Sequence, residues 1–144
     1  MCNMRKICFH LQLHVSLSFT VSSRRPTSSD SENDILPITL TVENMISHAK
    51  PLHYPTSVIK GGVLVSALRR LHEKDKNFTF TVKDDPNFGL FLESVNGVAG
   101  NENDKTYWEL LSKKPGKKEE PLKVGIGCYQ PEKNEEIILK FTHW

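Results

Sequence analysis

Residues 61–74, GGVLVSALRRLHEK, are the segment of this chain whose apolar residues recur at helical spacing. The predicted apolar face consists of Val63, Leu64, Ala67, Leu68 and Leu71, and the opposite face carries Arg69, Arg70, Glu73 and Lys74. A helix with this pattern buries its apolar face against another element and leaves the charged face in water. The paired glycines predict a tight turn, with an anion site at the free N–H groups of the helix as the alternative.

The segments on both sides of the helix alternate between apolar and polar residues, which is typical of half-buried strands. Strands are predicted at residues 36–43, 57–60, 78–83, 88–95, 124–129 and 135–144. Residues 44–55 read as irregular, and residues 107–111 are either extended or a short helical turn. One helix then covers one face of a mixed or antiparallel sheet, which predicts a small grasp-like α+β domain.

The size and charge of the chain exclude several classes of protein. Its 144 residues suggest one domain. The net charge of +2 argues against a nucleic-acid-binding protein, which usually carries a strong basic excess on one face. The lysines at 113–118 are followed at once by Glu119 and Glu120 and read as a solvated loop. No apolar run reaches the roughly 18 residues that a membrane-spanning helix needs.

The first 34 residues differ from the rest and are assigned as a possible signal peptide and a disordered linker. Arg5 and Lys6 form a basic start, and residues 7–21 form an apolar stretch that polar residues interrupt. The alternative is a non-native or alternatively spliced N-terminus. Residues 22–34 are polar and Ser-rich and have no hydrophobic period, so the folded domain is placed at residues 35–144.

The sequence contains no recognisable set of catalytic or metal-binding residues. It has no GxSxG, HExxH or phosphate-loop motif and no zinc-like cysteine pair, so neither an enzyme nor a metal site is predicted. Cys128 reads as a buried structural thiol, with an intermolecular disulfide as the alternative. Asn77 begins the triplet Asn-Phe-Thr, which is a glycosylation acceptor if the chain is secreted.

Aromatic, small and apolar residues at the ends of predicted strands form a candidate binding face. They occur at residues 88–91, 107–108 and 121–122. A sheet rim of this kind suits a large, flat, partly polar ligand, whose body is covered by apolar side chains. The alternative is that the same residues are ordinary core.

Four segments, in this order, resemble the C-terminal domain of the vertebrate cobalamin carriers (transcobalamin, intrinsic factor and haptocorrin). They are GGVLVSALRRLHEKDKNFTF at 61–80, NFGLFLESVNGVAGNENDKTYWELLS at 87–112, PLKVGIGCYQP at 121–131 and EEIILKFTHW at 135–144. The resemblance covers about residues 35–144. It implies a secreted, transcobalamin-like binding protein that carries cobalamin (vitamin B12) and has no catalytic cofactor.

In that family the small domain closes over cobalamin held by a large N-terminal helical barrel, so the resemblance implies contacts at two stretches. One is Asn87, Phe88, Gly89, Leu90, Phe91 and Leu92; the other begins at Trp108, Glu109 and Leu110 and runs through Leu111 and Ser112 towards Pro121 and Leu122. The predicted function is therefore a cobalamin-binding module that caps the corrin ligand. Its expected partners are cobalamin and a separate helical-barrel domain or a cell-surface receptor.

Two departures from the family pattern support an alternative function. No segment of this sequence resembles the helical barrel, and half an interface rarely holds a ligand tightly. The connection SKKPGKKEE at 112–120 is longer and more charged than the family's usual one. The alternative is a protein-interaction domain that kept the fold and lost the vitamin.

Overall fold

The computed structural model describes residues 34–87 and 89–144 of the chain. The strands are β1 Ile35–Asn44, β2 Ala49–Ile59, β3 Phe80–Asp85, β4 Gly89–Val95, β5 Val98–Ala99, β6 Thr106–Lys113, β7 Glu120–Pro121 and β8 Glu136–His143. Helix α1, at Leu64–Lys74, is the one helix of the described residues and confirms the predicted helix. The predictions of a signal peptide and a linker fall almost entirely outside the described residues.

The strands form two sheets, rather than the single sheet that the helix was expected to cover. The larger has the order β2-β1-β8-β6-β7, and the smaller has the order β3-β4-β5. Strands β1 and β8 are parallel, whereas the other neighbouring pairs of the larger sheet are antiparallel. The predicted α+β class with a mixed sheet is confirmed, and the grasp type stays a prediction.

The core lies where the apolar face of α1 meets one face of the larger sheet. The residues of α1 that are buried are Leu64, Val65, Ala67, Leu68 and Leu71. Most of them share one buried cluster with the alternate residues Ile137, Leu139 and Phe141 of β8. Because fully burying such a side chain contributes about 1.5–3 kcal/mol, this contact contributes substantially to holding the helix on the sheet.

Strand β2 corrects the prediction that residues 44–55 are irregular. It begins at Ala49 and pairs with β1 through Ile59. The two prolines, Pro51 and Pro55, made this segment read as a loop. They are tolerated because β2 is an edge strand of the sheet, and a proline there need not remove a ladder hydrogen bond.

Residues 124–129 correct a second prediction, because they form a turn and not a strand. The carbonyl of Gly125 accepts hydrogen bonds from the N–H groups of Cys128 and Tyr129, both at 3.1 Å. Two other carbonyls of the turn, those of Ile126 and Tyr129, accept hydrogen bonds from N–H groups at the start of helix α1. A segment whose backbone groups are already bonded in this way has no ladder of groups to offer a neighbouring strand.

Strand β6 resolves the open choice at residues 107–111 in favour of an extended chain. It pairs antiparallel with β8 from Thr106 opposite His143 to Lys113 opposite Glu136. The pairing gives every residue of β6 a defined side of the sheet. Even-numbered residues from 108 to 112 share a face with Ile137, Leu139 and Phe141, and odd-numbered residues share the opposite face with Ile138 and Lys140.

Candidate functional site

The turn at residues 125–129 is held against the start of helix α1. The N–H of Leu64 donates to the carbonyl of Tyr129 at 2.8 Å, and the N–H of Val65 donates to the carbonyl of Ile126 at 2.9 Å. These bonds use the first N–H groups of the helix, which otherwise lack partners. The N–H groups that would bind an anion after the paired glycines are therefore already bonded within the protein. This supports the prediction of a tight turn.

Residues from both predicted contact stretches pack against the same core as this turn. Leu90, Leu110 and Leu122 are all half-buried and pack against the main core. The N–H of Leu122 donates to the carbonyl of Leu110 at 3.0 Å, and Leu122 leads directly into the turn. We call the set Leu90, Leu110, Leu122, Gly125 and Gly127 the apolar rim.

Gly125 lets strand β4 approach the turn closely, and Gly127 lies beside the same strand. A Cβ atom at Gly125 would lie 3.0 Å from the carbonyl oxygen of Leu90, and one at Gly127 would lie 3.6 Å from the Leu90 side chain. A side chain at Gly125 would therefore push β4 away. The predicted contact list missed both glycines. The signal that was available is their place in PLKVGIGCYQP, one of the segments that carries the family resemblance.

Trp108 lies in the core. Its side chain is only 7% exposed, and its ring centroid lies 5.0 Å from that of Phe141. Its indole N–H donates to the carbonyl of Val98 at 2.8 Å, so its one polar group already has a partner. Any contact with a ligand is restricted to the small part of the ring that remains exposed.

The other predicted contacts in β6 point in different directions. Glu109 and Leu111 lie on the sheet face opposite to Trp108 and Leu110, where Leu111 is buried opposite Ile138. Ser112 is also buried, and its hydroxyl is used within the protein. Leu110 is thus the residue of this stretch that joins the rim.

The remaining predicted contacts scatter around the start of β4 and β7. Phe91 is 41% exposed, on the side of β4 opposite to Leu90, whereas Leu92 is buried in the core. Asn87 is exposed in the preceding turn, and Gly89 begins β4 with a φ of +81°. Pro121 is exposed and pairs with Leu111. Phe88 lies outside the described residues.

A buried carboxylate that the sequence analysis missed stands beside the rim. Glu135 is 0% exposed, and its side chain accepts hydrogen bonds from the Ser112 hydroxyl at 2.5 Å, the Glu132 N–H at 2.8 Å and the Tyr129 hydroxyl. The sequence alternation could have indicated this burial, because Glu135 is on the same side of the strand pattern as the apolar residues Ile137, Leu139 and Phe141. The carboxylate links β6, the turn and the start of β8.

The hydroxyl of Tyr129 resists ionisation. Burial, the hydrogen bond to the Glu135 carboxylate and the nearby charges of Glu135 and Glu132 raise the pKa of Tyr129 from 10.0 to about 12, against the opposing effect of the Ser112 hydrogen bond. A pKa that is higher in the folded state than in the unfolded state favours folding only while the hydroxyl is protonated.

This raised pKa predicts a loss of stability in base. The contribution of Tyr129 should be fully present below pH 10 and should disappear as the pH rises towards 12. In urea titrations between pH 9 and pH 12, the free energy of unfolding should therefore fall more steeply with pH for the wild-type protein than for Tyr129→Phe. Parallel declines would show that the hydroxyl does not carry this pH dependence.

Three further features concern modification, metals and membranes. Asn77 is exposed in the turn before β3, and its glycosylation stays a prediction. In residues 34–87 and 89–144, no group of three or more His, Cys, Asp or Glu side chains is arranged to hold a metal ion. The same residues contain no helix long and apolar enough to cross a membrane.

Most of the chain is similar in sequence to one group of known proteins. A family described as "Domain of unknown function (DUF4430)" matches residues 61–143. Cobalamin binding intrinsic factor of Mus musculus is 32% identical over 122 residues, which cover 83% of this chain and 28% of the relative. Transcobalamin-1 of Homo sapiens is 30% identical over 89 residues, which cover 61% of this chain and 19% of the relative.

A solved structure supports the same fold. Haptocorrin in complex with Cbi superposes with a TM-score of 0.65 at 23% identity, over 76% of this chain and 25% of that chain. The predicted resemblance to the cobalamin carriers is confirmed. The chain spans between 19% and 28% of the length of these relatives.

Proposed function

The chain belongs to the DUF4430 family, a domain of unknown function, and from this membership and its similarity to intrinsic factor we propose that residues 35–144 form a cobalamin-binding module that caps the corrin ligand. The observation that carries the proposal is the apolar rim, in which the half-buried Leu90, Leu110 and Leu122 pack against one core and Leu90 lies against two glycines of the turn. The proposed role is binding and carriage, without catalysis.

The rim would act by excluding water from the corrin. Its three leucines are half-buried in the free domain, so a flat ligand laid over them buries the apolar surface that remains. Gly125 and Gly127 place no side chain between the turn and Leu90, so the turn and the start of β4 lie close together. None of the five rim residues has a side chain that can ligate cobalt, so the proposed contact is with the corrin and its amides.

We propose that the second half of the binding site comes from a helical barrel, on a separate chain or in a longer product of the same gene. The rim covers one side of a large ligand, and the cost of ordering a ligand is poorly offset when only part of its surface is buried. An extracellular location fits this role. Cys128 is disulfide-bonded, which corrects the prediction of a buried structural thiol.

Titration with cyanocobalamin tests the proposal. The full chain alone should bind cyanocobalamin weakly, with small changes in corrin absorbance and heat. Its affinity should be at least about tenfold higher when the helical barrel of intrinsic factor is added. The same titration with the barrel alone is the control. No gain in affinity over the barrel alone would contradict the proposal and favour a protein-interaction domain that lost the vitamin.

A pair of neighbouring substitutions locates the contact. Leu90→Gln should weaken cobalamin binding, because Leu90 belongs to the rim. Phe91→Gln is the matched control, because Phe91 is exposed on the opposite side of the same strand. Equal losses for the two variants would mean that the rim is not the surface that covers the ligand.

A further inference from the structure

The outer edge of β2 carries backbone groups that the larger sheet does not use. The N–H of Lys60 donates to the carbonyl of Asp34 at 2.6 Å, and the register of β1 and β2 places these two residues opposite each other. Hydrogen-bonded positions alternate along an antiparallel pair, so the even-numbered residues of β2 bond β1. The odd-numbered residues point their N–H and C=O groups away from β1, and β2 is an edge strand of its sheet.

Two prolines restrict where this edge can accept another chain. Pro51 and Pro55 are odd-numbered and face outward, where they have no N–H to donate. Beyond them, the outward N–H groups belong to Ser57 and Ile59. The carbonyl of Ile59 already accepts the N–H of Gly62 at 2.6 Å, whereas within the described residues the N–H and C=O of Ser57 have no backbone partner. The open part of the edge is therefore centred on Ser57.

An arginine of helix α1 reaches the same end of β2. The guanidinium of Arg70 donates to the hydroxyl of Ser57 at 2.9 Å. Across residues 34–87 and 89–144, Arg70 forms no ion pair with a carboxylate, so its charge is not compensated. Beside it lies a cavity of about 100 Å³ with room for a small anionic group. The cavity is lined by Ser57, Val58, Ile59, Gly62, Ser66 and Arg70.

We propose that this end of β2 binds an extended acidic segment of a partner protein, which adds a strand at Ser57 and places a carboxylate on Arg70. Strand addition combines main-chain hydrogen bonds at a free edge with a side chain held in a neighbouring pocket. The guanidinium supplies the pocket's charge complementarity, because its remaining N–H groups match the two oxygens of a carboxylate.

The backbone of Ser57 favours a peptide over a free anion. Its outward carbonyl needs a donor, which the N–H of a partner strand supplies and a fully ionised anion does not. None of the residues at this end of β2 belongs to the apolar rim, so the inference does not rest on the proposed function.

An NMR titration of the ¹⁵N-labelled full chain tests the inference. The probe is the capped peptide acetyl-Thr-Val-Glu-Val-Thr-amide, and the same peptide with Gln in place of Glu is its neutral match. The Glu peptide should shift the backbone amide signals of Ser57 and Ile59 and the side-chain Nε–H signal of Arg70. Its affinity should be about fivefold higher than that of the Gln peptide. Inorganic phosphate should bind more weakly than the Glu peptide.

Two neighbouring arginines separate a local contact from the effect of net charge. Arg70→Gln should remove the preference for the Glu peptide. Arg69→Gln removes the same charge from an exposed position on α1 that does not line the cavity, and it should leave the preference unchanged. The inference would be overturned by equal affinities of the wild type for the two peptides, by equal effects of the two substitutions, or by unmoved Ser57 and Ile59 signals. Phosphate binding as tight as that of the Glu peptide would show a site for free anions and would also overturn it.

Discussion

Replacing Trp108 with alanine is expected to lower the free energy of unfolding by about 4 kcal/mol, because removing a buried tryptophan loses its packing and leaves a cavity. The ring packs against Phe141 at a centroid distance of 5.0 Å, and only 7% of the residue is exposed. The substitution also leaves the carbonyl of Val98 without its 2.8 Å donor. The loss is measured by urea denaturation followed by circular dichroism.

Trp144 provides the matched control. It is 62% exposed and makes an edge contact with Tyr107 at a centroid distance of 6.0 Å. Trp144→Ala should therefore change the free energy of unfolding by no more than about 0.5 kcal/mol. If Trp108→Ala were equally mild and yet abolished cobalamin binding, Trp108 would be a ligand contact and its assignment to the core would be wrong.

Replacing Glu135 with leucine is expected to lower the free energy of unfolding by about 3 kcal/mol. The carboxylate accepts hydrogen bonds from Ser112, Tyr129 and the Glu132 N–H, and leucine accepts none. Each buried donor that loses its partner costs roughly 1–3 kcal/mol, although hydroxyl groups can turn towards other acceptors. Because the site joins β6, the turn at 125–129 and β8, the loss should also loosen the rim.

Two further variants show whether the hydrogen bonds or the charge matter. Glu135→Gln keeps the shape and an accepting oxygen and should cost about 1 kcal/mol. Glu132→Ala removes an exposed carboxylate that lies 3.5 Å from Lys114 and should cost less than about 1 kcal/mol. A Glu135→Leu protein as stable as the wild type would show that leucine packing compensates for the lost bonds.

Local patterns in the sequence were sufficient to predict the helix and most of the strands. The helix at 61–74 and the alternation at 36–43 and 135–144 correspond to α1, β1 and β8. Each pattern reflects which side of one element is apolar, and these sides meet in one core. The prediction for residues 44–55 was wrong because the prolines indicate a loop unless β2 is known to be an edge strand. The prediction for residues 124–129 was wrong because their apolar residues indicate a strand unless their carbonyls are known to bond α1.

The candidate site depended on contacts between distant segments. The sequence resemblance gave two contact stretches, but the side that each residue of β6 faces follows from its pairing with β8, which puts Leu110 and Leu111 on opposite faces. It also puts Trp108 beside Phe141 and Glu135 beside Ser112, and neither contact is local in sequence.

Composition and periodicity therefore determined the elements of this protein and the apolar side of its helix, because those properties arise within a few neighbouring residues. Only the tertiary structure decided that Trp108 is core, that residues 124–129 turn to bond the helix, and that Leu90, Leu110 and Leu122 form one rim. The physical reason is that burial and hydrogen-bond partners are properties of the packed chain, and residues as far apart as 90 and 127 supply them to one another.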